Sequence, residues 1–282
     1  MSVLVRSLEF VEPIIRGWDY SKPLFIGLEG PQGSGKTYVS TKLVKELSIK
    51  FQKLNIIRCS LDDFYLTFEE QKNVSELNRG NLLLQGRGLP GTHDLRLLSE
   101  CFAQIEKGSD NVTIPFYDKS LHKGKGDRAP ENEWTHLQGR KVDVVIFEGW
   151  FVGYRAYKNE MILKHKWEEI RKQHEPKFDS VRYEHIAKLD HDLSLYEQIW
   201  ARFDCFLYIT TSDLANVYVW RHEQEQSLIE AKGTGMTDEE VEQFVDRYMP
   251  AYYLYYERLP EMERLVKFSA RFDIDIHRNV TN

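Results

Sequence analysis

The residues able to do chemistry fall in a few short segments. The first is Gly30-Pro-Gln-Gly-Ser-Gly-Lys-Thr37, which fits the pattern G-x-x-x-x-G-K-[ST]. Glycines at this spacing let successive backbone N–H groups wrap around an anion, and the positive end of the next helix faces the same point. Gly30, Pro31, Gln32, Gly33, Ser34, Gly35, Lys36 and Thr37 are therefore expected to cradle the phosphates of a nucleoside triphosphate. Lys36 supplies a point charge to the terminal phosphates, and the Thr37 hydroxyl suits Mg²⁺. Neither the Asp-x-x-Gly and Asn-Lys-x-Asp pairs of a GTPase nor the Leu-Ser-Gly-Gly-Gln-like signature of a transporter ATPase occurs. Small-molecule kinases and simple ATPases remain.

Phosphoryl transfer to an alcohol also needs a carboxylate to align or deprotonate the acceptor. Ser60-Leu-Asp-Asp-Phe-Tyr65 follows a short apolar run, which places Asp62 and Asp63 at the carboxyl end of a strand, where α/β sheets bind ligands. The same pair could simply initiate a turn or cap a helix. Glu148 ends another apolar run and is expected to assist Thr37 with the metal. Arg87 sits in a glycine-rich loop, and Lys119, His122, Lys123, Lys125 and Arg128 crowd a short stretch. One or two of these cations could clamp an anionic acceptor, while the rest read as a solvated face. Arg221 has two readings of equal weight, a lid cation over the transferring phosphoryl group or an i,i+4 pair with Glu225.

The elements that must position these residues can be read from periodicity. An opening helix to about residue 18 precedes a buried strand over 23–29, a helix over 37–52 and a second strand over 55–60. A helix is expected over 95–105 and strands over 142–148 and 205–210. The polar stretch 113–140 is expected to cover a site. Helices are expected over 161–174, 191–203, 214–230 and 238–262, the last bent near Pro250, and a final strand over 271–276. Strand–helix–strand units with short connections make a parallel α/β sheet. No linker divides the chain, so residues 1–282 are expected to form one domain. It would carry an N-terminal helical extension over 1–20 and a helical insert over about 155–203.

With 38 Lys+Arg against 44 Asp+Glu, the formal net charge of −6 argues against a general nucleic-acid or anionic-membrane binder. The three cysteines are odd in number and widely spaced, which fits reduced thiols rather than disulfides or a zinc cluster. The opening residues lack a secretory pattern and no apolar run could span a bilayer, so a cytoplasmic protein is expected. The sequence leaves the oligomeric state unassigned.

The phosphate loop, Asp62-Asp-Phe-Tyr65 and Phe147-Glu-Gly-Trp-Phe151 together resemble the phosphoribulokinase, uridine kinase and pantothenate kinase superfamily. Within it, the chain is similar to the D-glycerate 3-kinase family through Gln85-Gly-Arg-Gly-Leu-Pro-Gly-Thr-His-Asp94, Tyr117-Asp-Lys-Ser120, Gly124-Lys-Gly-Asp-Arg128, Trp220-Arg221, Gly235-Met236 and Tyr248-Met-Pro250. The resemblance covers roughly residues 23–280. It implies a three-layer P-loop NTPase sandwich with a mostly parallel sheet, helices on both faces and a helical lid. It further implies Asp62 as the acceptor-activating aspartate, an acceptor pocket bordered by Asp63, Tyr65, Arg87, His93, Tyr117, Lys119 and Arg128, and Arg221 in the lid. The expected catalytic set is Lys36, Asp62, Glu148 and Arg221, with Thr37 and Glu148 as metal residues and Mg-ATP as cosubstrate. The expected activity is transfer of the γ-phosphate to a hydroxyl of a small, anionic metabolite, D-glycerate foremost. A nucleoside or cofactor kinase, and an ATP-binding regulatory protein without turnover, are the alternatives.

Overall fold

The computed structural model describes residues 2–282. Five central strands, β1 (Leu24–Glu29), β2 (Ile56–Ser60), β3 (Val144–Gly149), β4 (Cys205–Thr211) and β5 (Phe268–Ile274), pair in the order β2-β3-β1-β4-β5. Every pairing is parallel. Strands β1, β3 and β4 are buried throughout, as apolar runs must be when helices cover both faces. The register aligns Ser60 with Glu148 and Glu29 with Gly149. All the carboxyl ends, and the loops that follow them, therefore share one edge.

The α-helices of seven or more residues are α1 (Val3–Gly17), α2 (Lys36–Lys50), α3 (Phe68–Leu77), α4 (Leu95–Glu106), α5 (Glu160–Gln173), α6 (Tyr183–Ser194), α7 (Asn216–Lys232), α8 (Asp238–Asp246) and α9 (Met249–Tyr255). Alternate strand residues divide the core in two. Leu24, Ile26 and Leu28 pack with Val11 and Ile15 of α1 and Leu43 and Leu47 of α2. Phe25, Cys59, Phe147 and Phe206 pack on the other face with Phe102 of α4, Leu189 of α6 and Tyr252 of α9. The result is the expected three-layer α/β sandwich.

Several element boundaries differ from the sequence reading. The helix expected over 191–203 begins earlier, at Tyr183, and stops at Ser194. There the amides of Leu195 and Tyr196 bond three residues back and tighten the chain into a turn before a short helix, Glu197–Trp200. The segment 238–262 is three pieces: α8, opened by a Thr237–Glu240 capping box; α9, with Pro250 in its first turn; and a 3₁₀ stretch, Tyr256–Arg264. The last strand lies earlier than expected because Asp275 already accepts the Arg278 amide in a turn. Within 113–140, Asn111–Ile114 pairs with Thr135–Gln138, and Tyr117–Asp118 pairs with Asp127–Arg128, both antiparallel. The three cysteines are buried and unpaired. Among the described residues, no helix is long and apolar enough to cross a membrane.

Candidate active site

The phosphate loop joins β1 to α2, and its shape is set by two left-handed residues, Gly33 at φ 82° and Gly35 at φ 88°. Gly33 also has no room for a side chain: a Cβ there would lie 2.3 Å from Trp220 Cβ. Gly35 caps α2 with no side-chain hydrogen bond. The first N–H groups of that helix are thus left to a ligand, beside the positive end of the helix dipole. Lys36 and Thr37 open the helix, and the Thr37 hydroxyl donates to Glu148 Oε1 at 3.0 Å. The residues read as phosphate and metal groups therefore meet at one point.

The acidic pair divides its work. Ser60 and Asp63 form a capping box around the 3₁₀ turn Leu61–Phe64, with Asp63 Oδ2 accepting the Ser60 amide at 2.8 Å. Burial, outweighing that bond and the nearby Arg58 charge, pushes Asp63 up to about 6. The carboxylate of Asp63 serves the turn, which is the capping reading of this pair. Asp62 faces the other way, accepting from the Tyr65 hydroxyl at 2.8 Å and pairing with Lys119. Burial alone would raise its pKa, but the charges of Lys119 and Lys36 and the bonds from Lys119 and Tyr65 more than reverse this. The carboxyl is held well below the usual carboxylate range. Lys36 is thus within electrostatic reach of Asp62, across the mouth of the phosphate loop.

The remaining acceptor candidates surround Asp62 in different ways. Tyr65 stacks on His93, with ring centroids 4.4 Å apart, and meets Tyr117 edge-on at 5.1 Å. His93 is buried, its Nδ1 is 2.8 Å from the Tyr196 hydroxyl, and burial lowers its pKa to about 3. Arg87 lies over the Tyr117 ring and donates to the carbonyls of Gly124 and Lys125. Arg128 donates to the Tyr65 carbonyl at 2.9 Å and pairs with Asp94 at 3.2 Å, bracing the pocket wall from behind. The glycine-rich loop 85–94 is pinned to this wall. Gly88, at φ 126°, approaches Tyr248 so closely that a Cβ would lie 2.1 Å from its hydroxyl. Trp150 donates to the Gly88 carbonyl, and Arg247 and Tyr248 donate to that of Arg87.

Arg221 sits on α7 with its guanidinium on Glu225 at 2.9 Å and on Gln224, over the ring of Phe244. Glu225 also accepts the Met236 amide. Of its two readings, the i,i+4 pair is the one this arrangement adopts, and it ties α7 to α8.

Three residues not singled out from sequence reach the site. Arg58, inside β2, pairs with Glu148 at 2.6 Å and donates to Ser40. An arginine within a buried strand was the available signal. The Tyr252 hydroxyl accepts the Gln32 amide at 2.9 Å. Arg278 Nε donates to the Gly33 carbonyl at 2.8 Å, lies over Trp220 and pairs with Glu223. Trp220 itself backs the loop and donates to the Ile276 carbonyl.

No family model matches the chain. It is 38% identical to a probable ATP-dependent kinase, TDA10, of Saccharomyces cerevisiae, over 99% of this chain and 95% of that protein. It is 34% identical to a chloroplastic D-glycerate 3-kinase of Arabidopsis thaliana, over 83% of this chain and 48% of that longer protein. Among solved structures, a D-glycerate 3-kinase from Cryptococcus neoformans superposes with a TM-score of 0.88 at 34% identity, covering 100% of this chain and 98% of the other. With its phosphate loop facing Asp62 across a shared sheet edge, the chain belongs to the family of ATP-dependent P-loop kinases that includes TDA10 and D-glycerate 3-kinase, and it is a phosphotransferase acting on an alcohol group of a small molecule.

Proposed function

We propose that the acceptor is a small anionic hydroxy acid, D-glycerate foremost, and that Asp62 activates its hydroxyl. The observation that carries this reading is the Asp62 corner. One ionised carboxylate is paired with Lys119, with Arg87 close enough to act on the Lys119 ammonium. A hydroxy acid fits because its hydroxyl can meet Asp62 while its carboxylate meets the two cations. The names of the Arabidopsis and Cryptococcus relatives support the same acceptor.

In this reading the backbone of residues 30–37 and the start of α2 hold the phosphates, and Lys36 offsets the charge that develops on them. Asp62 takes the acceptor proton as the hydroxyl oxygen bonds to the γ-phosphorus and the bond to the ADP oxygen breaks. Asp63, Tyr65 and Arg128 position Asp62 and the pocket wall, while His93 and Tyr117 line it. Thr37 and Glu148 supply hard oxygen donors in contact with each other, which fits Mg²⁺. When bound, the ion would spread charge from the β- and γ-phosphates. Arg221 holds α7 against α8 in this scheme. Residues 1–282 are taken as one kinase unit.

The test is ADP release with Mg-ATP against D-glycerate, other hydroxy acids, sugars, nucleosides and pantothenate, with Lys36→Ala as the blank. Selective turnover of D-glycerate is expected. Turnover of a neutral nucleoside instead would overturn the acceptor assignment and leave the kinase chemistry standing. ATP binding without turnover of any acceptor would favour a regulatory protein.

A further inference from the structure

Glu29, the last residue of β1, stands directly before the phosphate loop and is completely buried. Both its carboxyl oxygens lack a hydrogen-bond partner, as does the buried hydroxyl of Tyr154. An ionised carboxylate in that position would cost several kcal/mol, because nothing nearby neutralises it fully. Burial pushes its pKa far above the usual carboxylate range, and the one opposing cation, Lys36, does not restore it.

The groups within electrostatic reach of Glu29 are phenols from two segments, one after β3 and one spanning the end of α9. Tyr154, Tyr252 and Tyr256 all interact electrostatically with its carboxyl. Two of them already accept a backbone hydrogen: Tyr252 from Gln32 at 2.9 Å and Tyr256 from Thr211 at 2.7 Å. Each of these phenols keeps its own hydrogen to donate, and Tyr154 has its hydroxyl hydrogen to offer as well. The carboxyl oxygens make no direct hydrogen bond to these phenols, so a neutral carboxyl would accept their hydrogens and return one of its own through an internal water.

We propose that Glu29 is a positioning residue of the phosphate loop, a buried carboxyl hub that orients Tyr154, Tyr252 and Tyr256. Through Tyr252 it holds the Gln32 amide, and through Tyr256 it holds the end of β4. It touches neither nucleotide nor acceptor. Its effect is to fix the curvature of the loop before ATP arrives, so it acts on ATP affinity more than on the chemical step.

The experiment measures the ATP dissociation constant of the full chain by calorimetry, for the parent, Glu29→Gln and Glu29→Leu, with thermal unfolding of each. Glutamine keeps an acceptor and a donor of the same shape, so its affinity is expected within about threefold of the parent. Leucine removes both and is expected to weaken ATP about tenfold or more. Should Glu29→Leu not fold, Tyr252→Phe cuts the same chain one link later and is expected to weaken ATP about fivefold. Infrared difference spectra of parent against Glu29→Gln should show a protonated-carboxyl carbonyl band lost in the variant. Parent-like affinity in Glu29→Leu or Tyr252→Phe overturns the proposal. So does a loss in Glu29→Gln as large as that in Glu29→Leu, or the absence of the band, since either means a working carboxylate.

Discussion

Replacing Asp62 with Asn isolates the charge of the proposed acceptor base at nearly constant shape. The stability cost follows from exposure. The Asp62 side chain is 29% exposed and that of Lys119 56%, so their ion pair is screened and contributes about 0.5–1 kcal/mol. For a chain of this size that lowers the melting temperature by about 1–2 °C. The effect on turnover is far larger. Loss of a positioned general base costs about 10²–10⁴ in kcat, or about 3–5 kcal/mol of barrier. ATP affinity should move the other way, by about threefold or less, because a negative charge within reach of Lys36 is removed from beside a polyanion. The pH dependence adds a second constraint. The Asp62 carboxyl is held below the usual carboxylate range, so it remains ionised throughout about pH 5–8. The ratio of parent to variant kcat should therefore stay constant over that range. Steady-state kinetics at several pH values, with calorimetry for ATP, check each part. A variant that keeps kcat within threefold of the parent would remove Asp62 from the mechanism. A ratio that shrinks steeply below pH 7 would mean that a different titrating group carries the proton.

Gly33→Ala demands a left-handed alanine and drives its Cβ into Trp220, which together should cost about 2–5 kcal/mol. Thermal unfolding should fall accordingly and ATP affinity should be lost, whereas a parent-like protein would show that α7 yields freely. Arg58→Met leaves Glu148, only 2% exposed, with Thr37 as its remaining hydrogen-bond donor. Because Arg58 is itself 28% exposed, the expected loss by urea unfolding is about 2–3 kcal/mol. His93 is neutral when buried, and its pKa falls from 6.5 to about 3. Its contribution to stability is therefore present above about pH 6.5 and is lost as the pH falls toward 3. Asp63, raised to about 6, runs oppositely, its contribution being present below about pH 4 and lost as the pH rises through 6. Between pH 7 and 5 the stability difference between parent and His93→Gln should move against the parent by about 2 kcal/mol, and an unchanged difference would place a charged histidine in the fold.

Much of the catalytic outline was legible because it is written in neighbouring residues. The spacing of Gly30, Gly35, Lys36 and Thr37 needs no distant partner to shape a phosphate cradle, and apolar runs placed β1, β2, β3 and β4 to within two residues at each end. Asp62 was marked by its place after β2. What spacing left open was the division of labour between adjacent side chains. Asp62 and Asp63 are equivalent as letters, and only the capping box at Ser60 turns one into the turn and the other toward Lys119. Arg221 stood between a lid role and Glu225 until α7 and α8 were packed together. The helix boundary near Tyr196 depended on a local tightening of the chain, and Pro250 opens α9 after a break instead of bending one long helix.

Sequence by itself determined the α/β class, the phosphate loop and the acid beside it, since each arises from local periodicity or from a backbone shape that a few residues dictate. Tertiary structure alone decided what braces them: Arg58 on Glu148, Tyr252 on Gln32 and Arg278 on Gly33. The last two contacts join residues 220 and 245 positions apart. Separations of that length leave no periodic trace in a chain, because the partners are brought together by the order of strands in the sheet rather than by any rule linking one residue to its neighbours.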